Sequence, residues 1–261
     1  MSTWVLLRGL TRERRHWGDF PALLQEAFPD ARIFALDLPG NGTLRHAPSL
    51  MAIGQMAQCC RTQLRRRGAA PPYHLLALSL GAMVAVAFAE AFPEETGACV
   101  LINTSLRPFN PVYWRLRPHS YPALLRLALA PQSAEAREQL IYRLTSNRPT
   151  RARTIVGDWI RYHREQPVSA VNALRQLYAA LTYRAPAQPP TSRMLLLASG
   201  GDVLVDVRCS RRLAERWRVP LVEHPDAGHD LPLDDGPWVV RQVKCWLAAG
   251  GGRGEATPVG R

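Results

Sequence analysis

Ser79, Asp202 and His229 supply a hydroxyl, a carboxylate and an imidazole. A serine hydroxyl attacks poorly on its own. It needs a base beside it and a third group to orient the base. Local context singles out these three. Residues 73–83 read Tyr-His-Leu-Leu-Ala-Leu-Ser-Leu-Gly-Ala-Met: a mostly apolar run, a lone serine, then small residues and helix formers. That order predicts strand, sharp turn and helix, with Ser79 at the apex. Close approach of strand and helix admits only small side chains two positions either side of the serine, and these are Ala77 and Gly81. The helix would aim its free N–H groups and positive dipole end at the hydroxyl. The plainer use of such a serine is a helix cap.

The elements that must position these groups alternate along the chain. Strands are expected over residues 4–7, 32–38, 73–78, 98–103, 194–198 and 221–223. Helices are expected over 16–28, 49–66, 83–91, 208–217 and 238–248, with Ser49 capping the second and Asp206 the fourth. Alternation of this kind implies a parallel sheet covered by helices on both faces. Active sites of such sheets lie beyond the carboxyl ends of the strands. The residues there include Gly9-Leu10, Ser79-Leu80, the run Ser199-Gly200-Gly201-Asp202 and the run Asp226-Ala227-Gly228-His229. Nucleophile, acid and imidazole thus share one rim.

Residues 105–190 break the rhythm. They contain no convincing strand and show helical patterns over 121–129, 134–144, 151–164 and 169–183, separated or flanked by prolines. The organisation expected is a core in two parts, 1–104 and 191–249, a helical insertion over 105–190, and a glycine-rich disordered tail over 250–261.

Bulk properties narrow the class. The chain has 261 residues, 47% hydrophobic, enough for a substantial core. No apolar run approaches the roughly 20 residues of a membrane span, and no leader peptide is expected. The five cysteines, Cys59, Cys60, Cys99, Cys209 and Cys245, lack metal spacing and point to reduced thiols in a cytoplasmic protein. No cofactor and no metal are expected. Net charge is +12, and Lys244 is the only lysine. No finger, helix-turn-helix or aromatic platform accompanies the charge, so nucleic acid is not an expected partner.

The run 73–83 matches the nucleophile elbow Gly-x-Ser-x-Gly with Ala77 in the first place, and the order serine, aspartate, histidine is that of hydrolases built on it. With the turn Asp37-Leu38-Pro39-Gly40-Asn41-Gly42, the pair Gly201-Asp202 and the pair Gly228-His229, the chain resembles the α/β-hydrolase superfamily from Trp4 to about Ala249. Within it, the chain is similar to small bacterial carboxylesterases, including those that cleave methyl esters of carrier-bound acyl chains. The resemblance implies an α/β-hydrolase fold, here with a shortened sheet of about six strands, and a lid inserted after the fourth strand. It implies Ser79 as nucleophile, His229 as base, Asp202 as its orienting acid, and the backbone N–H groups of Leu10 and Leu80 as oxyanion hole. Arg8 departs from the pattern, since many relatives have histidine before the oxyanion glycine.

Each role has a rival. His224 ends a strand and reads as structural, whereas His229 lies on a glycine-bearing loop. Asp206 and Asp226 compete with Asp202, which directly follows a strand and two glycines. His16, His46, His119 and His163 read as ordinary surface or partly buried side chains. The insertion carries 13 arginines against four acids. The bland use of that charge is to solvate outer helix faces. The sharper one is docking of an acidic acyl carrier protein, with Arg151, Arg153, Arg161 and Arg164 in one helical pattern. The expected function is cleavage of a carboxylic ester, of a small molecule or an acyl chain. Thioester or carrier-bound substrates form one alternative, and a non-catalytic binding protein forms another.

Overall fold

A computed structural model describes residues 2–129 and 133–250. The first half alternates β1 (Thr3–Leu7), α1 (Phe20–Ala27), β2 (Arg32–Leu36), α2 (Ile53–Arg66), β3 (Tyr73–Leu78), α3 (Leu80–Ala91) and β4 (Thr96–Ile102). A helical segment follows: α4 (Val112–Arg115), α5 (Tyr121–Leu129), α6 (Ala134–Thr145), α7 (Ala152–Glu165) and α8 (Ala170–Thr182). Alternation resumes with β5 (Arg193–Ser199), α9 (Arg208–Trp217), β6 (Leu221–His224) and α10 (Leu231–Ala248). The six strands form one sheet in the order β2-β1-β3-β4-β5-β6, and every pairing is parallel. All carboxyl ends therefore face the same edge.

Burial on both faces explains why the strands read as continuous apolar runs. Side chains alternate between two cores. Val5, Leu7, Leu75, Ala77, Cys99 and Leu101 join α2, α3 and α9 on one face. Trp4, Leu6, Leu76, Leu78, Val100 and Ile102 join α1 and α10 on the other. The two cores pin the sheet from both sides and leave only its edges free to carry chemistry.

Several boundaries differ from the sequence expectation. The helix expected over 16–28 is split: a 3-10 turn covers Arg14–Trp17, Gly18 has a φ of +52°, and Pro21 opens α1. Ser49 does not cap α2. Its hydroxyl donates to the Pro39 carbonyl and its N–H to Asn172 Oδ1, both at 2.8 Å, and α2 begins four residues later at Ile53. The last helix starts at Leu231 and is kinked at Asp235, so its first turns were missed. Short helix α4 was missed as well. Asp206 does sit at the start of α9, accepting the Arg208 N–H at 3.0 Å. Beyond Gly250 the expected disordered tail lies outside the described residues.

Candidate active site

The turn after β3 is as tight as the small residues require. Ser79 has φ +56° and ψ −116°, a conformation few non-glycine residues adopt. It links β3 directly to α3, and its N–H donates to the Ile102 carbonyl at 2.9 Å, extending the β3–β4 pairing by one residue. A Cβ on Gly81 would lie 2.4 Å from the Leu7 carbonyl oxygen and 2.7 Å from that of Arg8. The end of β1 thus occupies the space a side chain would need. A Cβ on Gly9 would sit 3.3 Å from Ser79 Cβ, which places the Gly9-Leu10 segment alongside the serine. Leu80 is the first residue of α3, where an N–H has no carbonyl one turn earlier. Among the described residues, the N–H groups of Leu10 and Leu80 make no hydrogen bond.

Asp202 and His229 meet across the loops after β5 and β6. His229 Nδ1 is 2.7 Å from Asp202 Oδ2. The other oxygen, Asp202 Oδ1, accepts the N–H groups of Leu204 at 2.8 Å and Val205 at 3.0 Å. The carboxylate is therefore held by the backbone of its own loop while it holds the imidazole. Burial lowers the His229 pKa, but the charge of Asp202 and its hydrogen bond together outweigh burial, so the net shift is upward. His229 Nε2, the opposite nitrogen, has no hydrogen-bond partner among the described residues.

Glycines and polar hooks bring the two loops this close. A Cβ on Gly200 would meet the Pro225 carbonyl oxygen at 2.5 Å, and one on Gly201 would meet Asn147 Nδ2 at 2.5 Å. Asn147 Nδ2 donates to the carbonyls of Gly201 at 3.0 Å and Asp226 at 2.9 Å, tying both loops to the end of α6. Asn103, just past β4, donates to the His229 carbonyl at 2.9 Å and accepts the Ser199 N–H at 2.8 Å. Arg117 donates to the Asp202 carbonyl at 2.9 Å. Sequence reading passed over Asn103, Arg117 and Asn147. Asn103 ends a strand, and the strand-end rule that selected Ser79 applied to it too.

The rivals are engaged elsewhere. Asp206 pairs with Arg208, which lowers its pKa. Asp226 is exposed and pairs with Arg148 at 3.2 Å. His224 accepts the Ala227 N–H at 3.0 Å and lies edge-on to Trp238. His16 departs from its expected role. It is buried beside Arg12, 3.0 Å from that guanidinium, tilted against the Trp159 ring and edge-on to Tyr162. Arg8 makes a bidentate pair with Asp230, both side chains 3% exposed, over the ring of Trp17. The residue beside His229 is thereby tied to the end of β1.

The four arginines of α7 and its approach form no common free patch. Arg161 pairs with Asp158 at 2.9 Å, Arg164 pairs with Glu135, and Arg151 donates to the Leu233 carbonyl at 2.9 Å. Arg153 is exposed and has no side-chain partner among the described residues.

A doubly covered parallel sheet with a strained serine turn and an acid–imidazole pair on one rim defines a class of hydrolases, and the comparisons agree. The profile of the alpha/beta hydrolase family matches residues 4–242. The chain belongs to that family and is a hydrolase of it. Among solved structures it is similar to the enol-lactonase of Burkholderia xenovorans LB400, with 18% identity over 95% of this chain and 91% of that one and a TM-score of 0.74. It is also similar to a thermophilic esterase from Thermogutta terrifontis, with 20% identity over 97% and 91% and a TM-score of 0.70. An esterase from a Rhodococcus species gives 18% identity over 95% and 90% and a TM-score of 0.73. At such identities the likeness is one of fold. Sequence comparison with curated proteins finds no match. No described helix is long and apolar enough to cross a membrane.

Proposed function

We propose that the chain is a serine carboxylesterase that works through an acyl-enzyme. The supporting observation is the His229–Asp202 hydrogen bond on the same sheet edge as the left-handed turn at Ser79. In this reading His229 Nε2 takes the Ser79 proton as Oγ attacks the ester carbonyl. The N–H groups of Leu10 and Leu80 receive the oxyanion, each contributing about 3–4 kcal/mol to transition-state stabilisation. His229 then gives its proton to the departing alcohol. Water, activated by the same nitrogen, attacks the acyl-enzyme and frees the acid. Asp202 keeps the proton of neutral His229 on Nδ1 and stabilises the imidazolium.

Residues 105–190 act as a lid over this rim in the proposal, and the core is 1–104 with 191–249. The relatives named esterases and an enol-lactonase support an ester or lactone of a small molecule as substrate. The free cysteines fit a reducing, cytoplasmic setting. A second reading, an acyl chain on an acidic carrier, rests on the arginine surplus. The ion pairs of Arg161 and Arg164 leave Arg153 as its best-supported contact. The test is covalent labelling by a fluorophosphonate together with hydrolysis of short p-nitrophenyl esters. Both are expected in the wild type and lost in Ser79→Ala. A folded wild-type protein that does neither would refute the reading.

A further inference from the structure

Helix α8 turns its polar side chains inward. Asn172 and Gln176 are buried beside Ala179, whereas Val171, Leu174, Tyr178 and Leu181 are exposed. A buried carboxamide is costly unless its hydrogen bonds are made, and Gln176, fully buried, makes three, so both its nitrogen donors and its oxygen have partners. Its Oε1 accepts the Thr11 N–H at 2.8 Å. Its Nε2 donates to Asn41 Oδ1 at 2.7 Å and to Ser49 Oγ at 2.9 Å. Asn41 in turn donates to the Arg12 carbonyl at 3.0 Å.

The contact with Thr11 falls one residue after Leu10, the proposed oxyanion donor. The Arg12 N–H donates to the Gly9 carbonyl at 3.3 Å, closing a four-residue turn. That bond fixes the Gly9–Leu10 peptide plane, and in a trans peptide the Leu10 N–H points opposite to the Gly9 carbonyl. Gln176 fixes the next plane through the Thr11 N–H. With both flanking planes hydrogen-bonded, the backbone torsions of Leu10 are restrained from either side. The turn needs such help, because its third residue, Thr11, has a φ of +57°, a conformation that suits glycine and not a β-branched side chain.

The geometry points to Gln176 as a positioning residue for the oxyanion hole. It aims the Leu10 N–H through Thr11, so the hole is complete only while α8 is seated on the rim. This rests on the esterase reading and assigns a role within it to a residue of the helical segment.

The experiment is steady-state hydrolysis of p-nitrophenyl butyrate, with Tm and inhibition by an alkyl boronic acid measured in parallel. Gln176→Leu is expected to lower kcat about 10- to 100-fold with KM within about threefold, and to weaken the boronate, which mimics the oxyanion, by a similar factor. Thr11→Gly in the same chain should recover most of that loss, since glycine holds a positive φ unaided. Ser49→Ala cuts the same network away from Thr11 and should lower Tm with kcat within about threefold. If Gln176→Leu does not fold, Gln176→Glu, which keeps the acceptor for Thr11, is put through the same cycle. It should lose kcat by less than about fivefold, and a larger loss that Thr11→Gly does not reverse overturns the role. Full kcat in a folded Gln176→Leu, or equal losses in Gln176→Leu and Ser49→Ala, would also overturn it. Those results leave the esterase reading standing. A wild-type protein that neither hydrolyses the ester nor takes up a fluorophosphonate at Ser79 sinks both.

Discussion

Replacing Asp202 by asparagine changes one atom and tests the proposed mechanism at its hinge. Asp202 Oδ1 is claimed by two backbone N–H groups, from Leu204 and Val205. An asparagine must keep its oxygen there, because its NH2 cannot accept from them. The NH2 then faces His229 Nδ1, where Asp202 Oδ2 stood at 2.7 Å. A donor there demands a lone pair on Nδ1, so the neutral imidazole carries its proton on Nε2. That nitrogen can no longer take the proton of Ser79. The volume is unchanged and the fold should survive, but kcat should fall about 10^4-fold, which is about 5.5 kcal/mol at 1.36 kcal/mol per decade.

The pH profile supplies a second signature. In the proposed mechanism the raised His229 pKa sets the acid limb of wild-type kcat/KM, because the base must be neutral to act. Asparagine removes the charge of Asp202 and its hydrogen bond to a protonated imidazole, and leaves burial, which lowers the pKa. The limb of the residual activity should move to lower pH. Stability has a definite sign as well. A folded pKa above the ordinary 6.5 stabilises the protein fully below 6.5 and loses that effect as pH rises through the folded value. The Tm gap between wild type and Asp202→Asn should therefore be wider at acid pH than at pH 9. A variant that keeps more than about a tenth of wild-type kcat, or whose acid limb does not move, would refute the assignment.

Two further outcomes follow from buried charge. Arg8→Met leaves Asp230 buried without its cation and should cost about 3–5 kcal/mol, read as a fall in Tm; an unchanged Tm would show that the pair does not hold the histidine loop to β1. Burial, with help from the charges of Arg12 and Arg8, holds the His16 pKa well below 6.5. Such a histidine binds its proton in the unfolded chain first, so stability should fall as pH drops below 6.5. His16→Asn should show a shallower loss of Tm between pH 7.5 and 5 than the wild type, and equal slopes would count against this account.

The rim was legible because its signals are local. The apolar run to Leu78, the lone Ser79 and the small Gly81 are neighbours in the chain and satisfy one steric requirement, the carbonyls of Leu7 and Arg8 lying under the helix start. Asp202 and His229 stood out as candidates because strand ends of a parallel sheet converge on one edge, whatever lies between them. The supporting shell was not legible. Ser49 resembles a helix cap in sequence, yet Asn172, 123 residues away, takes its N–H. The arginines of α7 form a basic pattern on a helical wheel, but Asp158 and Glu135 neutralise part of it in space.

By itself the amino-acid sequence determined the sheet's alternation, the strained turn and the candidates for its chemistry, since each follows from near-neighbour periodicity and steric limits on small residues. Tertiary structure alone decided which carboxylate meets His229, where Arg8 finds its counter-charge and why α8 buries a glutamine. Those choices depend on hydrogen bonds between residues up to 222 positions apart. Such bonds are directional and short-ranged, so they exist only once packing has brought the partners within reach.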